Sequence, residues 1–232
     1  MTPTTLPHPS FQALRGAIDW NDTSSILTGC TPIFDAFTSD PHLLQTLLES
    51  LPGDPHLADM CERYDFLAKL VLHDEPEAGV RIRLHLYREG FFDRPHNHRW
   101  PFYAGILHGS YLHRVFGRDD SFDDSTDPDT LRPILERVER PGCAYALQHT
   151  SVHTVQAQAD TISLLVRGPA AKDRFLILDR LRGGSFWVYG AAQETPEQRA
   201  GKRMTADQLA ATIARVRLLT APTAVPAREQ AR

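Results

Sequence analysis

A chain of 232 residues is long enough to bury one hydrophobic core with some helical additions, and it does not require two domains. Apolar residues make up 41% of it and charged residues 23%, proportions typical of a soluble globular protein. The net charge of −4 lacks the basic excess of nucleic-acid-binding surfaces, so we expect no nucleic-acid partner.

The cysteines and the apolar pattern indicate the compartment. Cys30, Cys61 and Cys143 are odd in number and irregularly spaced, so no disulfide framework is expected and a reducing cytoplasm is the natural location. The first residues have neither the basic nor the apolar segment of a secretory signal. No apolar run approaches the roughly 18 residues that span a bilayer, so we expect no membrane partner.

The amino-terminal part of the chain predicts helices. Residues 1–34 are rich in Pro, Thr and Ser and are expected to form a loosely ordered lead-in with one short helix near Phe11–Ile18. Residues 40–70 have a helical pattern, in which five leucines follow the i, i+3, i+4 spacing of an amphipathic helix: Leu43, Leu44, Leu47, Leu48 and Leu51. A second helix is expected from Pro55 to about Arg63. A single domain is predicted over 35–220, with a flexible tail over 221–232.

From Gly79 onward the apolar period changes to two. Val80, Ile82, Leu84 and Leu86 alternate with polar residues, which predicts a strand. Further strands are predicted at Phe102–Leu107, Tyr111–Phe116, Ile134–Val138, Ala144–Leu147, His153–Gln158, Thr161–Arg167, Arg174–Leu178 and Ser185–Tyr189. Many short strands at this spacing indicate an antiparallel sandwich or barrel. Near the end, Thr205 and Gln208 fit a capping box that would start a helix.

Three histidines are candidates for a metal site. His96 and His98 are two residues apart, so on an extended segment their side chains project from the same face. Neutral imidazole is the commonest protein ligand for divalent transition metals. A second segment, after the turn at Pro141-Gly142, carries His153 into a strand, and His149 four residues earlier is the rival third ligand.

These motifs resemble those of the cupin superfamily. The run Gly90, His96-Asn97-His98, Phe102 and Gly109 is similar to its first motif, and Pro141-Gly142 through His153 looks like its second. The resemblance covers residues 80–168. It implies a jelly-roll β-barrel with a metal ion held inside by His96, His98 and His153.

One departure from the cupin pattern narrows the expected chemistry. Phe102 takes the place of the usual Glu ligand, so the predicted set is three neutral imidazoles with open positions on the metal. Three-histidine cupins include the thiol dioxygenases, and the helices and the segments Ser151–Val155 and Ser163–Pro169 resemble cysteine dioxygenases. The resemblance implies Fe(II) first, with Zn, Ni or Mn as alternatives. Of that family's Ser-x-His-x-Tyr relay only Ser163 is present.

The residues around this site receive provisional roles. Arg83, His85 and Tyr87 share one strand face, which is solvent-exposed if the apolar alternation forms the core and faces the pocket on the cupin resemblance. Arg167 ends a strand; if it points inward, its guanidinium can anchor a carboxylate or another oxyanion. Aromatic residues following the motif are expected to line the pocket or to pack within the barrel: Trp100, Phe102 and Tyr103. His85, Tyr87 and Tyr103 are the candidate catalytic residues. The candidate substrate-binding residues are Arg167, Phe102, Trp100 and Arg83.

Three classes of function remain open at this stage. The first is an iron-dependent oxygenase, similar to cysteine dioxygenase, that acts with O₂ on a small thiol- or carboxylate-bearing molecule. The second is a non-redox metal-dependent lyase or isomerase. The third is a non-catalytic cupin that binds a small ligand. For each class we expect a monomer or homodimer with a small-molecule partner.

Overall fold

The structure is a computed structural model that describes residues 8–88, 94–181, 183–190 and 193–221. Gly90 of the first motif and positions 222–232 of the expected tail lie outside the described residues. The helices are α1 (Thr23–Ser39), α2 (Pro41–Ser50), α3 (Pro55–Ala58), α4 (Pro196–Lys202) and α5 (Ala206–Thr220). The strands are β1 (Glu62–Arg63), β2 (Leu67–Glu75), β3 (Val80–Tyr87), β4 (Phe102–His108), β5 (Tyr111–Arg118), β6 (Leu135–Glu139), β7 (Ala144–Leu147), β8 (Ser151–Ala157), β9 (Ile162–Arg167), β10 (Arg174–Asp179) and β11 (Gly184–Tyr189).

Two antiparallel layers form the β-structure. The larger is a six-stranded sheet in the order β1-β2-β3-β9-β4-β7. The smaller layer contains the strands β6-β5-β8 and the hairpin β10-β11. His96 joins these two parts, because it forms antiparallel bridges to His153 on β8 and to Ile177 on β10. The predicted fold class is confirmed: the chain is mainly β, with antiparallel sheets and helices at both ends of the sequence.

Helices cover the outer face of the six-stranded sheet. One apolar cluster combines residues of α1, α2 and α5 with the alternating residues Ile82, Leu84 and Leu86 of β3. At Gly105 on β4, α1 approaches so closely that an added Cβ would lie 2.5 Å from the ring of Phe34. The inner face of this sheet is therefore the one that faces the smaller layer.

In the described part of 1–34, the short helix expected near Phe11–Ile18 is present as a 3-10 helix over Pro9–Arg15, but the expectation that the rest is loosely ordered is wrong. The side chain of Asp22 accepts hydrogen bonds from the amides of Ser24 and Ser25 and so caps α1, a 17-residue helix. Ile26 and Ile33 of this helix are fully buried against the sheet. Burial of this apolar face stabilises α1 although Pro32 lies inside it.

The helical prediction for 40–70 is correct only in its first part. The leucine pattern forms α2, whereas the helix expected from Pro55 to Arg63 ends after four residues at Ala58. The rest is β1 and the start of β2. Leu70, Val71 and Leu72 of β2 are all buried, because both faces of this strand are covered, and so the period of two is lost.

The carboxyl-terminal helix agrees with the prediction from the sequence. The side chain of Thr205 accepts from the amide of Gln208, the Gln208 side chain accepts from the amide of Thr205, and α5 follows. Among the described residues, no helix is both long enough and apolar enough to cross a membrane.

Candidate metal centre

The segment that carries His96 and His98 is held between β8 and β10. The amide of His96 donates to the carbonyl of His153 over 2.8 Å, and the amide of His153 donates back to the carbonyl of His96 over 2.9 Å. Asn97, between the two histidines, points the other way and is fully buried. Its side-chain oxygen accepts from the amide of Leu176 at 2.7 Å, and its Nδ2 donates to Asp119 at 2.8 Å. These bonds fix the segment, so both imidazoles project into the space between the sheets.

His153 on β8 completes a cluster of three imidazoles. One ring nitrogen from each of His96, His98 and His153 lies within 4.8 Å of the other two. The Nε2 atoms of His98 and His153 are 2.9 Å apart. His149 does not belong to this group; it lies in the turn before β8, where its carbonyl accepts from the amide of His98. Of the two residues considered for the third position, the structure brings His153 to the pair.

The three imidazoles are uncharged near neutral pH. Burial lowers the pKa of His96 to about 4, against the hydrogen bond that its Nδ1 makes with the carbonyl of Arg94. Burial also lowers the pKa of His98 and His153 well below the usual value, and each of them is further lowered by the neighbouring His96. Unprotonated nitrogens are what a metal ion requires, because a protonated imidazole has no free electron pair.

One of the three donor spacings, that between His98 and His153, matches two metal ligands at right angles to each other. Two nitrogens about 2.0–2.1 Å from one ion are about 2.9 Å apart at 90°, and about 3.3–3.4 Å apart at the tetrahedral angle. The observed 2.9 Å between the Nε2 atoms of His98 and His153 matches the first arrangement. A metal ion held by the three ligands that the described residues offer would have positions open for substrate.

Aromatic rings form one wall beside the cluster. The Trp100 indole stacks on the His98 ring with centroids 4.7 Å apart, and Phe102 meets the same ring edge-on at 4.7 Å. Phe102 also contacts His153, at 5.5 Å between ring centroids. These two rings therefore lie beside the imidazoles, and their role in substrate binding stays a prediction.

The expectation that Tyr103 lines the pocket is wrong. On a strand, neighbouring side chains point to opposite faces, so Tyr103 points away from the side occupied by Phe102. It is fully buried under α1, with its ring 6.1 Å from that of Phe34, and it interacts with Thr31. Burial raises the pKa of Tyr103 to about 12. Tyr103 therefore cannot contact a molecule bound at the three histidines.

The β3 face whose direction the sequence left open points toward the centre. Arg83, His85 and Tyr87 lie on the inner face, because Ile82, Leu84 and Leu86 belong to the core beneath the helices. His85 is 8% exposed, and its Nε2 has no hydrogen-bond partner among the described residues. Burial lowers the pKa of His85 well below its usual value and raises that of Tyr87 to about 12, so both are neutral near pH 7.

Two guanidinium groups lie beside the Trp100 ring. The Cζ atoms of Arg83 and Arg167 are 5.9 and 6.0 Å from its centroid. The Nε of each is buried without a partner among the described residues. Burial and the nearby Arg83 lower the pKa of Arg167 to about 9. A buried charged donor without a partner is costly, so this arrangement favours an anionic ligand.

Lys69 adds a further cation to the same region. It pairs with His85 across β2 and β3, and its Nζ lies 3.6 Å from Glu62 and 4.4 Å from the ring centroid of Tyr64. Burial lowers the pKa of Lys69 to about 8, although Glu62 opposes this shift. Its positive charge lowers the pKa of His96 and His98, so it lies within electrostatic range of the cluster.

Sequence reasoning missed a group of polar residues behind the histidines. His113 on β5 lies 3.0 Å from His153 and 3.2 Å from Glu139, and both His113 and Glu139 are buried. The hydroxyls of Tyr111 and Tyr145 are 2.8 Å apart nearby. A signal was present, because Tyr111 and His113 share one face of a predicted strand. Nothing local indicates that this face is the inner one.

Comparisons with known proteins find remote structural similarity. No protein-family model and no curated protein sequence matches this chain. An RmlC-like cupin from Shewanella frigidimarina NCIMB 400 is 14% identical over 49% of this chain and 86% of its own, with a TM-score of 0.35. DMSP lyase DddQ from Ruegeria pomeroyi DSS-3 is 14% identical over 48% and 51%, with a TM-score of 0.35. Streptomyces albus HEPD, solved with Fe(II) and 2-hydroxyethylphosphonate, is 11% identical over 47% and 22%, also with a TM-score of 0.35. The first of these structures is described as an RmlC-like cupin; the resemblance to cysteine dioxygenases in particular stays a prediction.

Proposed function

We propose that this protein is a mononuclear non-heme iron oxygenase that acts with O₂ on a small anionic organic molecule. The observation that carries the proposal is the cluster of three neutral imidazoles, in which His153 is buried and His96 and His98 are partly buried. An Fe(II) ion held by this cluster would supply one-electron chemistry with O₂, which side chains alone do not provide. Among the described residues no carboxylate belongs to the cluster, so the three imidazoles leave the charge of a divalent ion unreduced.

The side chains around the cluster support an anionic substrate. The Nε–H groups of Arg83 and Arg167 are buried beside Trp100 without a partner among the described residues and would bind a carboxylate or another oxyanion. Trp100 and Phe102 would exclude water from the carbon skeleton. The positive charge of Lys69 would favour the same ligand without contacting it.

We assign proton transfer and hydrogen bonding to the substrate to residues on the inner face of β3. Nε2 of His85 has no hydrogen-bond partner among the described residues, so it can accept a proton from a bound substrate or donate one to it. Tyr87 pairs with Ser163 and, with its pKa raised to about 12, keeps its phenolic proton. It would therefore act as a hydrogen-bond donor rather than as a base.

The first experiment measures metal content and O₂ uptake. Protein reconstituted anaerobically with Fe(II) is mixed with O₂ and a panel of small thiols, hydroxy acids and phosphonates, each tested with its neutral amide or ester. We expect substrate-dependent O₂ consumption that needs the anionic group, and loss of bound metal on alanine substitution of His96, His98 or His153. Turnover without O₂ would instead indicate a lyase or isomerase. Full metal content in an alanine variant would refute the site.

The second experiment tests the two guanidinium groups. A hydrogen bond to a charged group contributes about 1.5–3 kcal/mol, so Arg83→Gln and Arg167→Gln should each lower kcat/KM by about 10-fold or more. Most of the change should appear in KM. The matched control is Arg114→Gln, because Arg114 is already paired with Glu136 on the outer side of the smaller layer. Equal losses in all three variants would contradict the assignment.

A further inference from the structure

Three neighbouring strands of the smaller layer each contribute one member of a buried polar chain. Their order is β6-β5-β8, and they supply Glu139, His113 and His153. Nδ1 of His153 is 3.0 Å from Nε2 of His113, and Nδ1 of His113 is 3.2 Å from Oε1 of Glu139. The exposed fractions of Glu139, His113 and His153 are 1%, 2% and 4%. The chain therefore runs, shielded from water, from the back of one imidazole of the cluster to a carboxylate.

The carboxylate end fixes the direction of the first hydrogen bond in this chain, and a neutral His113 extends that direction to His153. An ionised carboxylate can only accept, so Nδ1 of His113 carries a proton and donates it to Glu139. When His113 is a neutral imidazole, its Nε2 can only accept, so Nδ1 of His153 donates to it. The proton of His153 is thus held on Nδ1, and its Nε2, 2.9 Å from Nε2 of His98, keeps a free electron pair.

Arg137 keeps Glu139 in its ionised form. The Arg137 guanidinium donates to the same Oε1 that accepts from His113, and its side chain is 43% exposed, at the surface end of the chain. Burial by itself would raise the pKa of Glu139, but the hydrogen bonds from His113 and Arg137 outweigh it and hold this pKa below its usual range. Glu139 therefore acts as an acceptor only.

We propose that His113 and Glu139 are positioning residues that hold His153 in the tautomer whose Nε2 binds the metal ion. This inference rests on the proposed function, because it assigns the groups that prepare one of the three ligands. A carboxylate and one relaying imidazole orient the ligand, in place of the direct carboxylate or carbonyl partner that most metal-bound histidines have. Neither residue contacts the metal or the substrate.

Glu139→Gln is the most direct test. The side-chain amide can donate to Nδ1 of His113, which allows the proton of His113 to move to Nε2 and the proton of His153 to its own Nε2. The metal-binding nitrogen is then blocked. Loss of such an outer partner typically weakens metal affinity about 10- to 100-fold. The matched control is Glu136→Gln, which removes an exposed carboxylate from the same strand.

Substitutions at His113 separate its hydrogen-bonding role from its packing role. Gln has one acceptor and one donor in a planar group, so His113→Gln can bridge His153 and Glu139, whereas His113→Leu cannot. We expect Co(II) affinity close to wild type in the first variant and at least about 10-fold weaker in the second. Tyr111→Phe removes a neighbouring buried hydrogen bond without touching His153, so it should leave the Co(II) affinity unchanged.

The readout is Co(II) binding to the full chain, with proton NMR of the loaded protein. Wild type should show a slowly exchanging, paramagnetically shifted imidazole N–H from Nδ1 of His153, and Glu139→Gln should lose it. If wild type binds Co(II) and Glu139→Gln keeps both the affinity and this signal, the positioning role is refuted and the proposed function stands. If wild type binds no Co(II) or Fe(II), the proposed function fails and the inference with it. The melting temperature of each metal-free variant shows whether it is folded.

Discussion

Acidifying the metal-free protein from pH 7.5 to about pH 5 should lower its free energy of unfolding substantially. In the folded protein burial lowers the pKa of His96 to about 4, whereas a histidine in the unfolded chain titrates near 6.5. Between these values the unfolded state binds the proton and the folded state does not. The contribution of His96 to the free energy of unfolding is therefore complete above pH 6.5 and is lost as the pH falls toward 4.

The magnitude follows from the two pKa values. At pH 5 the difference for His96 alone corresponds to about 2 kcal/mol, at about 1.4 kcal/mol per pKa unit. The lowered pKa values of His98 and His153 act in the same direction. His85, whose pKa is also lowered by burial, adds to the effect, whereas Glu62 and Lys69 contribute little in this window. Glu62, with a pKa of about 2, loses its contribution mainly below pH 4.5, and the cost of burying Lys69, with a pKa of about 8, is constant there.

The assay is urea unfolding of chelator-treated protein at pH 7.5, 6 and 5. His96→Gln should reduce the acid-induced loss of stability by about 2 kcal/mol. His42→Gln is the control, because His42 is exposed on α2 and its imidazole stays in solvent. An equal loss in wild type and His96→Gln would refute the argument that His96 is neutral because it is buried.

Two further predictions concern the side of the sheet opposite the histidines. Tyr103→Phe should leave metal affinity and turnover unchanged and cost at most about 1 kcal/mol of stability, since its hydroxyl faces α1; a lower metal affinity would restore Tyr103 to the site. Gly105→Ala should destabilise the protein by about 1–3 kcal/mol in thermal or urea unfolding, because its Cβ would overlap the ring of Phe34. Gly53→Ala, where a Cβ meets nothing within 4 Å, is the control, and equal stabilities would show that α1 does not pack there.

Elements with a local signal were predicted well. The alternation along β3 and the capping box of α5 depend on residues close together in the sequence, and both elements appear in the structure. Two elements lacked such a signal. The buried face of α1 was hidden by a Pro- and Ser-rich composition, and β2 is covered on both faces, so its apolar residues show no period of two.

The candidate site likewise has features with a local sequence signal and features without one. That His96 and His98 project together follows from their spacing on an extended segment, and so does the suitability of neutral imidazoles for a metal. The choice of His153 over His149 depends on the register of β8 against β5 and on the bridge between His153 and His96. No local pattern carries that register, because it is set by strands distant in the sequence.

The sequence by itself determined that this chain has many antiparallel strands, a pair of histidines on one face and helices at its ends, because these features depend on neighbours within a few residues. Only the tertiary structure decided which face of each strand is the inner one. The helices cover one face of the six-stranded sheet and leave Arg83, His85 and Tyr87 on the other, and they place Tyr103 beneath α1. Alternation puts residues on two faces, but which face meets the second sheet depends on what packs against each, and that is a property of the whole fold.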